Sequence, residues 1–144
     1  MTRYNYENFS SKDYDFDTSS GPVIGQKAPD FELATSDGET RRLLDFEGDL
    51  LVLELGSITC PLFQSRRGTM SDLAETYENV ENAVLYVREA HPGAQIPAHR
   101  DFDEKRACAK RLATEDKEAR LVLVDDVKGT AHQAEIDRLY GYLF

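Results

Sequence analysis

Apolar and polar positions follow different rhythms along this chain, and their order predicts a layered fold. Leu50–Leu55 is a short, nearly unbroken apolar run: four leucines and Val52, interrupted only by Glu54. Such a run suits a strand covered on both faces of a parallel sheet. Gly56 and Ser57 end it, and Pro61 suits the first position of a following helix, where its missing N–H costs nothing. Phe63, Met70, Leu73/Ala74 and Tyr77 then recur at helical spacing, which predicts a helix from about residue 62 to 78, loosened at Gly68. Ala83–Val87 (AVLYV) predicts a second strand. Phe102, Lys105/Arg106, Ala109 and Leu112/Ala113 predict a second helix with its charges turned outward. Leu121–Val124 (LVLV), stopped by Asp125 and Asp126, predicts a third strand, and Thr130–Tyr140 a last helix. Upstream, Phe31–Leu33 and Thr40–Leu43 flank Ser36-Asp37-Gly38, the pattern of a β-hairpin. Strands alternating with helices imply an α/β class with a mainly parallel central sheet flanked by helices, preceded by the hairpin. Loops that follow parallel strands gather at one sheet edge. Cys60, Glu89 with His91, and Asp125 with Asp126 each follow a strand and are therefore expected to converge.

Composition narrows the setting. The 144 residues suit one domain with its own core. Residues 1–22 are polar and acidic with scattered aromatics, closed by Gly21-Pro22, and read as a flexible arm ahead of a domain over 23–144. A formal net charge of −10 argues against nucleic acid and anionic membrane surfaces as partners. No apolar run approaches the length of a membrane span, and the first residues lack a signal-peptide core, so the expected location is the cytoplasm. Two cysteines, Cys60 and Cys108, make no disulfide framework and no CxxC, and neither is spaced with histidine as in a zinc site. No metal and no bound cofactor are expected.

The chemistry centres on Cys60. It sits where a strand ends and a helix begins, among unpaired backbone N–H groups at the positive end of the helix dipole. That setting favours a thiolate, and so a nucleophile; the competing reading is a small buried hydrophobe. His91, just past the second strand and held by Pro92, could stabilise the thiolate or deliver a proton, and Glu89 could orient that imidazole or relay the proton. Ser57 and Thr59 can donate hydrogen bonds to the thiolate or a substrate, although both are also ordinary turn residues. Arg66 and Arg67 either raise the local positive potential or form a solvated face. His99 carries a weaker signal, His132 reads as structural or solvent-facing, and Cys108 as a packed residue on its helix.

Several motifs together resemble a known family. GQKAPDFEL (25–33), followed by the hairpin, looks like the opening of the peroxiredoxin-type redoxins. GSITCPLF (56–63) resembles the iodothyronine deiodinase signature Gly-Ser-x-Thr-Sec-Pro-x-Phe, with Cys60 in place of selenocysteine. REAHPG (88–93) and IPAHR (96–100) resemble the deiodinase pattern Glu-Ala-His-Pro, Ile-Pro-x-His. The peroxiredoxin pattern Pro-x-x-x-Thr-x-x-Cys is not met, because Thr59 abuts Cys60. The resemblance, over about residues 25–134, is to the deiodinase-like branch of the thioredoxin-fold redoxins.

It implies a thioredoxin-like fold and a thiol oxidoreductase in which Cys60 attacks an electrophile: a halogenated aromatic, a peroxide or a disulfide. Thr59, Glu89, His91 and His99 fall on the family's proton-transfer and substrate-orienting positions, with Ser57 and His99 expected to bind substrate. An external thiol, such as thioredoxin or a low-molecular-weight thiol, would regenerate the enzyme. A thiolate attacks iodine less readily than a selenolate, so deiodination would be slow. A peroxiredoxin-like thiol peroxidase and a catalytically inactive thioredoxin-fold binding protein are the two alternatives. Beyond GTAHQA (129–134) the family continues into further strands, whereas this chain reads EIDRLYGYLF. Missing C-terminal strands would leave Leu50–Leu55 at an edge, a pairing hazard that a strand-exchanged homodimer would relieve.

Overall fold

A turn at Gly38, whose φ of 91° suits a residue without a side chain, joins β1 (Glu32–Thr35) to β2 (Thr40–Arg42) as an antiparallel hairpin. The computed structural model describes Gly25 and residues 27–131. Beyond the hairpin the chain runs β3 (Leu50–Gly56), α1 (Pro61–Thr76), β4 (Val80–Tyr86), α2 (Phe102–Thr114) and β5 (Leu121–Val124). One five-stranded sheet results, in the order β2-β1-β5-β4-β3. β3, β4 and β5 are parallel, and β5 is antiparallel to β1. The α/β expectation and the hairpin are therefore met.

The alternation along β4 and β5 divides the core. Val84, Tyr86, Val122 and Val124 point to one face, where Phe63 and Cys60 from the start of α1 and Ala109 and Leu112 from α2 cover them. Both crossover helices thus lie on the same side. Leu85, Val87 and Leu123 point to the other face, with Leu33, Leu43 and Ala131.

β4 begins earlier than its apolar run, because Val80, Glu81 and Asn82 continue the parallel ladder opposite Leu50, Leu51 and Val52. Asn82, which hides that extension in the sequence, donates its side-chain amide to the Met70 carbonyl on α1. α1 runs unbroken through Gly68.

Two expectations change. β3 is not covered on both faces: among the described residues it pairs with β4 alone, Leu50 is 60% exposed, and most of its apolar neighbours are half-buried. The charges of α2 are not all outward either. Lys105 is buried and donates Nζ to the Asp126 carbonyl at 2.8 Å. The arm over 1–22, the domain boundary behind it, His132, nearly all of the last expected helix and the anticipated C-terminal shortfall lie outside the described residues. No described helix is long and apolar enough to cross a membrane.

Candidate active site

Cys60 is the N-cap of α1, and Pro61 follows it at the first helical position. Its Sγ accepts the Phe63 N–H at 3.5 Å, and its carbonyl takes the Gln64 N–H. This is the junction expected from the sequence. The Phe63 ring lies over Gly56, where an added Cβ would come within 2.2 Å of the ring. Gly56 thereby fixes how closely α1 approaches the end of β3. The outcome differs from an open helix mouth, however: Cys60 is only 1% exposed and lies in the cluster with Phe63, Val84 and Tyr86.

The loops after β3 and β4 are tied together beside it. Thr59 donates both its backbone N–H (3.0 Å) and its hydroxyl (2.5 Å) to Glu89 Oε2. The Thr59 hydroxyl in turn accepts the His91 N–H at 3.1 Å. Ser57 is fully buried and accepts the Ala90 N–H at 3.2 Å. Its hydroxyl therefore fastens one loop to the other.

Glu89 is the hub. Its side chain is fully buried, Tyr86 donates its phenol to Oε1, and His99 Nε2 lies 3.2 Å from that same oxygen. The His99 separation is an ion-pair length, but Nε2 misses hydrogen-bond geometry. Burial pushes the Glu89 carboxyl up, but His99 beside it and the donors from Thr59 and Tyr86 outweigh that and hold it below the usual carboxylate range. Burial and the neighbouring carboxylate push the Tyr86 phenol up, so it stays a donor. His91 joins the network through its backbone, and partial burial lowers its imidazole's affinity for a proton.

Sequence position made His91 the partner of Glu89, yet it is the His99 imidazole that the fold brings to the carboxylate. Asp125 and Asp126 do not add to the cluster as expected. The Asp125 carboxylate accepts the Asp126 and Ala131 N–H groups, and Asp126 caps Thr130. Two residues escaped sequence reasoning. Tyr86 orients Glu89 and places its ring 5.9 Å from that of His99; its signal was a phenol inside an otherwise apolar strand. Cys108 stands with its sulfur near Glu89 and His99 rather than merely packed. A cavity of about 280 Å³ opens beside Glu89, His99, Pro92 and Lys105.

A comparison with known families decides what frames this geometry: the iodothyronine deiodinase model matches residues 4–142. The chain belongs to the iodothyronine deiodinase family. Among deiodinase relatives, the thyroxine 5-deiodinase of Ovis aries is 31% identical over 131 residues, which cover 81% of this chain and 45% of the sheep protein. This deiodinase-family chain thus spans under half the length of that relative. Solved structures agree on a thioredoxin-like fold. An uncharacterised conserved protein from Geobacillus kaustophilus superposes with a TM-score of 0.62 at 22% identity, covering 82% of this chain and 60% of that one. A candidate thiol-disulfide oxidoreductase from Bacteroides vulgatus gives 0.54 at 17%, covering 83% and 70%. In this deiodinase-family chain, Thr59, Glu89 and His99 form one contiguous group, with Cys60 next to Thr59 in the chain.

Proposed function

We propose that this protein is a thiol-dependent reductase of deiodinase type, removing halogen from an aromatic substrate with Cys60 as nucleophile. The observation that carries the reading is the chain of contacts from Thr59, the neighbour of Cys60, through Glu89 to His99, in a member of the deiodinase family. The Cys60 thiolate attacks iodine. The aryl carbon keeps the electron pair of the broken carbon–iodine bond and takes a proton, and Cys60 becomes a sulfenyl iodide. Two external thiols then restore it, one forming a mixed disulfide with loss of iodide and the second releasing Cys60 as a thiol. Overall, halogenated aromatic plus two thiols gives arene, disulfide and hydrogen iodide. Glu89 and His99 hold and move the proton, with Thr59 and Tyr86 positioning the carboxylate. The reductant is thioredoxin or a low-molecular-weight thiol, and no bound cofactor is needed.

At 1% exposure, the sulfur meets a substrate only when its surroundings open, so the observed rate scales with the open fraction. That makes the reaction slow and selective for substrates that stabilise the open form.

Mass spectrometry of Cys60 after exposure to iodinated phenols, a hydroperoxide and a disulfide in turn, with iodide release measured under excess dithiol, tests the proposal. Iodide release that Cys60→Ser abolishes is the expected result. His99→Ala should slow it about 10²- to 10⁴-fold, the usual range for a proton-transfer group, and His91→Ala by less. Peroxide consumption without iodide release would reassign the protein as a thiol peroxidase, and an unmodified Cys60 throughout would overturn both.

A further inference from the structure

Cys108 has no part in the reaction above, yet its sulfur, Glu89 and His99 offer three ligand atoms within 4.8 Å of one another. The His99 side chain is 5% exposed, and its Nε2 is buried without a hydrogen-bond partner, 3.2 Å from Glu89 Oε1. A buried imidazole nitrogen left without a hydrogen bond costs free energy that a ligand there would recover. We propose that Cys108, His99 and Glu89 form a zinc(II) site.

The donor set fits. A thiolate, an imidazole and a carboxylate are the three ligand types zinc takes, and three protein ligands plus one water complete a tetrahedron. Zinc bonds of about 2.0–2.3 Å place tetrahedral donors roughly 3.3–3.8 Å apart, so the farthest pair needs to close by up to about 1.5 Å. Side-chain rotation supplies that. Glu89 is already oriented by Tyr86 on Oε1 and by Thr59 on Oε2, the outer hydrogen bonds that metal-binding carboxylates carry. The cavity that Glu89 and His99 line gives the ion and its water a way in. On binding, the Cys108 S–H is replaced by S–Zn, and its proton leaves to solvent. Zinc would also occupy Glu89 and His99 and so slow turnover. That consequence rests on the proposed function; the binding does not.

Cobalt(II) added to the reduced, full-length protein provides the test, because a thiolate ligand gives a near-ultraviolet charge-transfer band and four-coordination gives intense visible bands. We expect both at one cobalt per chain, displaced by zinc. Cys108→Ser should abolish the charge-transfer band, Cys60→Ser should keep it, and His99→Ala should weaken zinc binding about 10²-fold against a chromophoric chelator. No band, a band that survives Cys108→Ser, or one lost in Cys60→Ser would overturn the proposal. On the unaltered protein, zinc should slow iodoacetamide labelling of Cys108 clearly, because a coordinated thiolate is no longer a free nucleophile, and leave Cys60 labelling as it was. Equal Cys108 labelling with and without zinc would also overturn it. None of these readouts depends on dehalogenation, so the zinc site and the proposed function can fail separately.

Discussion

Two groups of buried charge lie on the helix-covered side of the sheet, and they are built differently. Around Arg120 the charges close on one another. Its guanidinium grips both oxygens of Glu118 at 2.8 and 3.0 Å and reaches Glu54 at 2.7 Å, while Arg67 adds a second cation on Glu118 at 2.9 Å. Around Glu89 the hydrogen-bond donors are neutral: a phenol, a hydroxyl and a peptide N–H. Its imidazole neighbour keeps a buried nitrogen outside hydrogen-bond geometry. The first group is balanced and holds the structure. The second leaves capacity for a proton or a cation, the arrangement expected of a site that does chemistry. The two groups meet at Phe63, whose ring lies 5.9 Å from the Arg120 guanidinium and whose N–H rests on Cys60.

Breaking the closed group should have the largest effect on stability. Arg120→Met leaves Glu54 and Glu118 without their shared cation, and should cost about 3–5 kcal/mol in denaturant unfolding. A cost under about 1 kcal/mol would mean that Arg66 and Arg67 alone balance the carboxylates. Next comes the meeting point. Gly56→Ala drives a methyl into the Phe63 ring and should destabilise by about 1–3 kcal/mol, the range for overpacking, with Cys60 becoming easier to alkylate as its cap shifts.

The open group should respond chiefly to pH. The Glu89 carboxyl lies below its usual 4.5 in the folded state. The stability this confers is complete above that value and is lost as pH falls through the lower, folded one. Tyr86→Phe removes a donor to the ionised form, so Glu89 should titrate at higher pH and the acid limb of the stability curve should move up with it. An unmoved limb would show that His99 and Thr59 hold the carboxylate without Tyr86. The smallest effect concerns His91. Burial lowers it from 6.5, so its imidazole resonances should titrate with a midpoint below those of an unstructured peptide.

The sequence reading succeeded wherever the signal was local. Gly56 to Phe63 carries its own strand stop, cap and helix start, so the position of Cys60 between β3 and α1 was legible from eight residues. It failed where a residue answers to something distant. Glu54 looked like a blemish in an apolar strand and is half of a buried pair with Arg120. Arg67 read as a solvated or electropositive arginine and is largely buried against Glu118. His91 seemed better placed than His99 because it stands just past a strand end, held by Pro92, but position along a loop does not set which imidazole reaches Glu89.

Residue order alone determined the alternation of elements, the hairpin, the family and the place of Cys60 between strand and helix, because each rests on periodicity or on a short motif whose physics is contained within it. Only the folded chain decided that Cys60 is covered, that His99 faces Glu89, and that Cys108 stands beside them. Those facts depend on how β4 and α2 pack across the sheet, and packing joins side chains through space at separations no local pattern encodes.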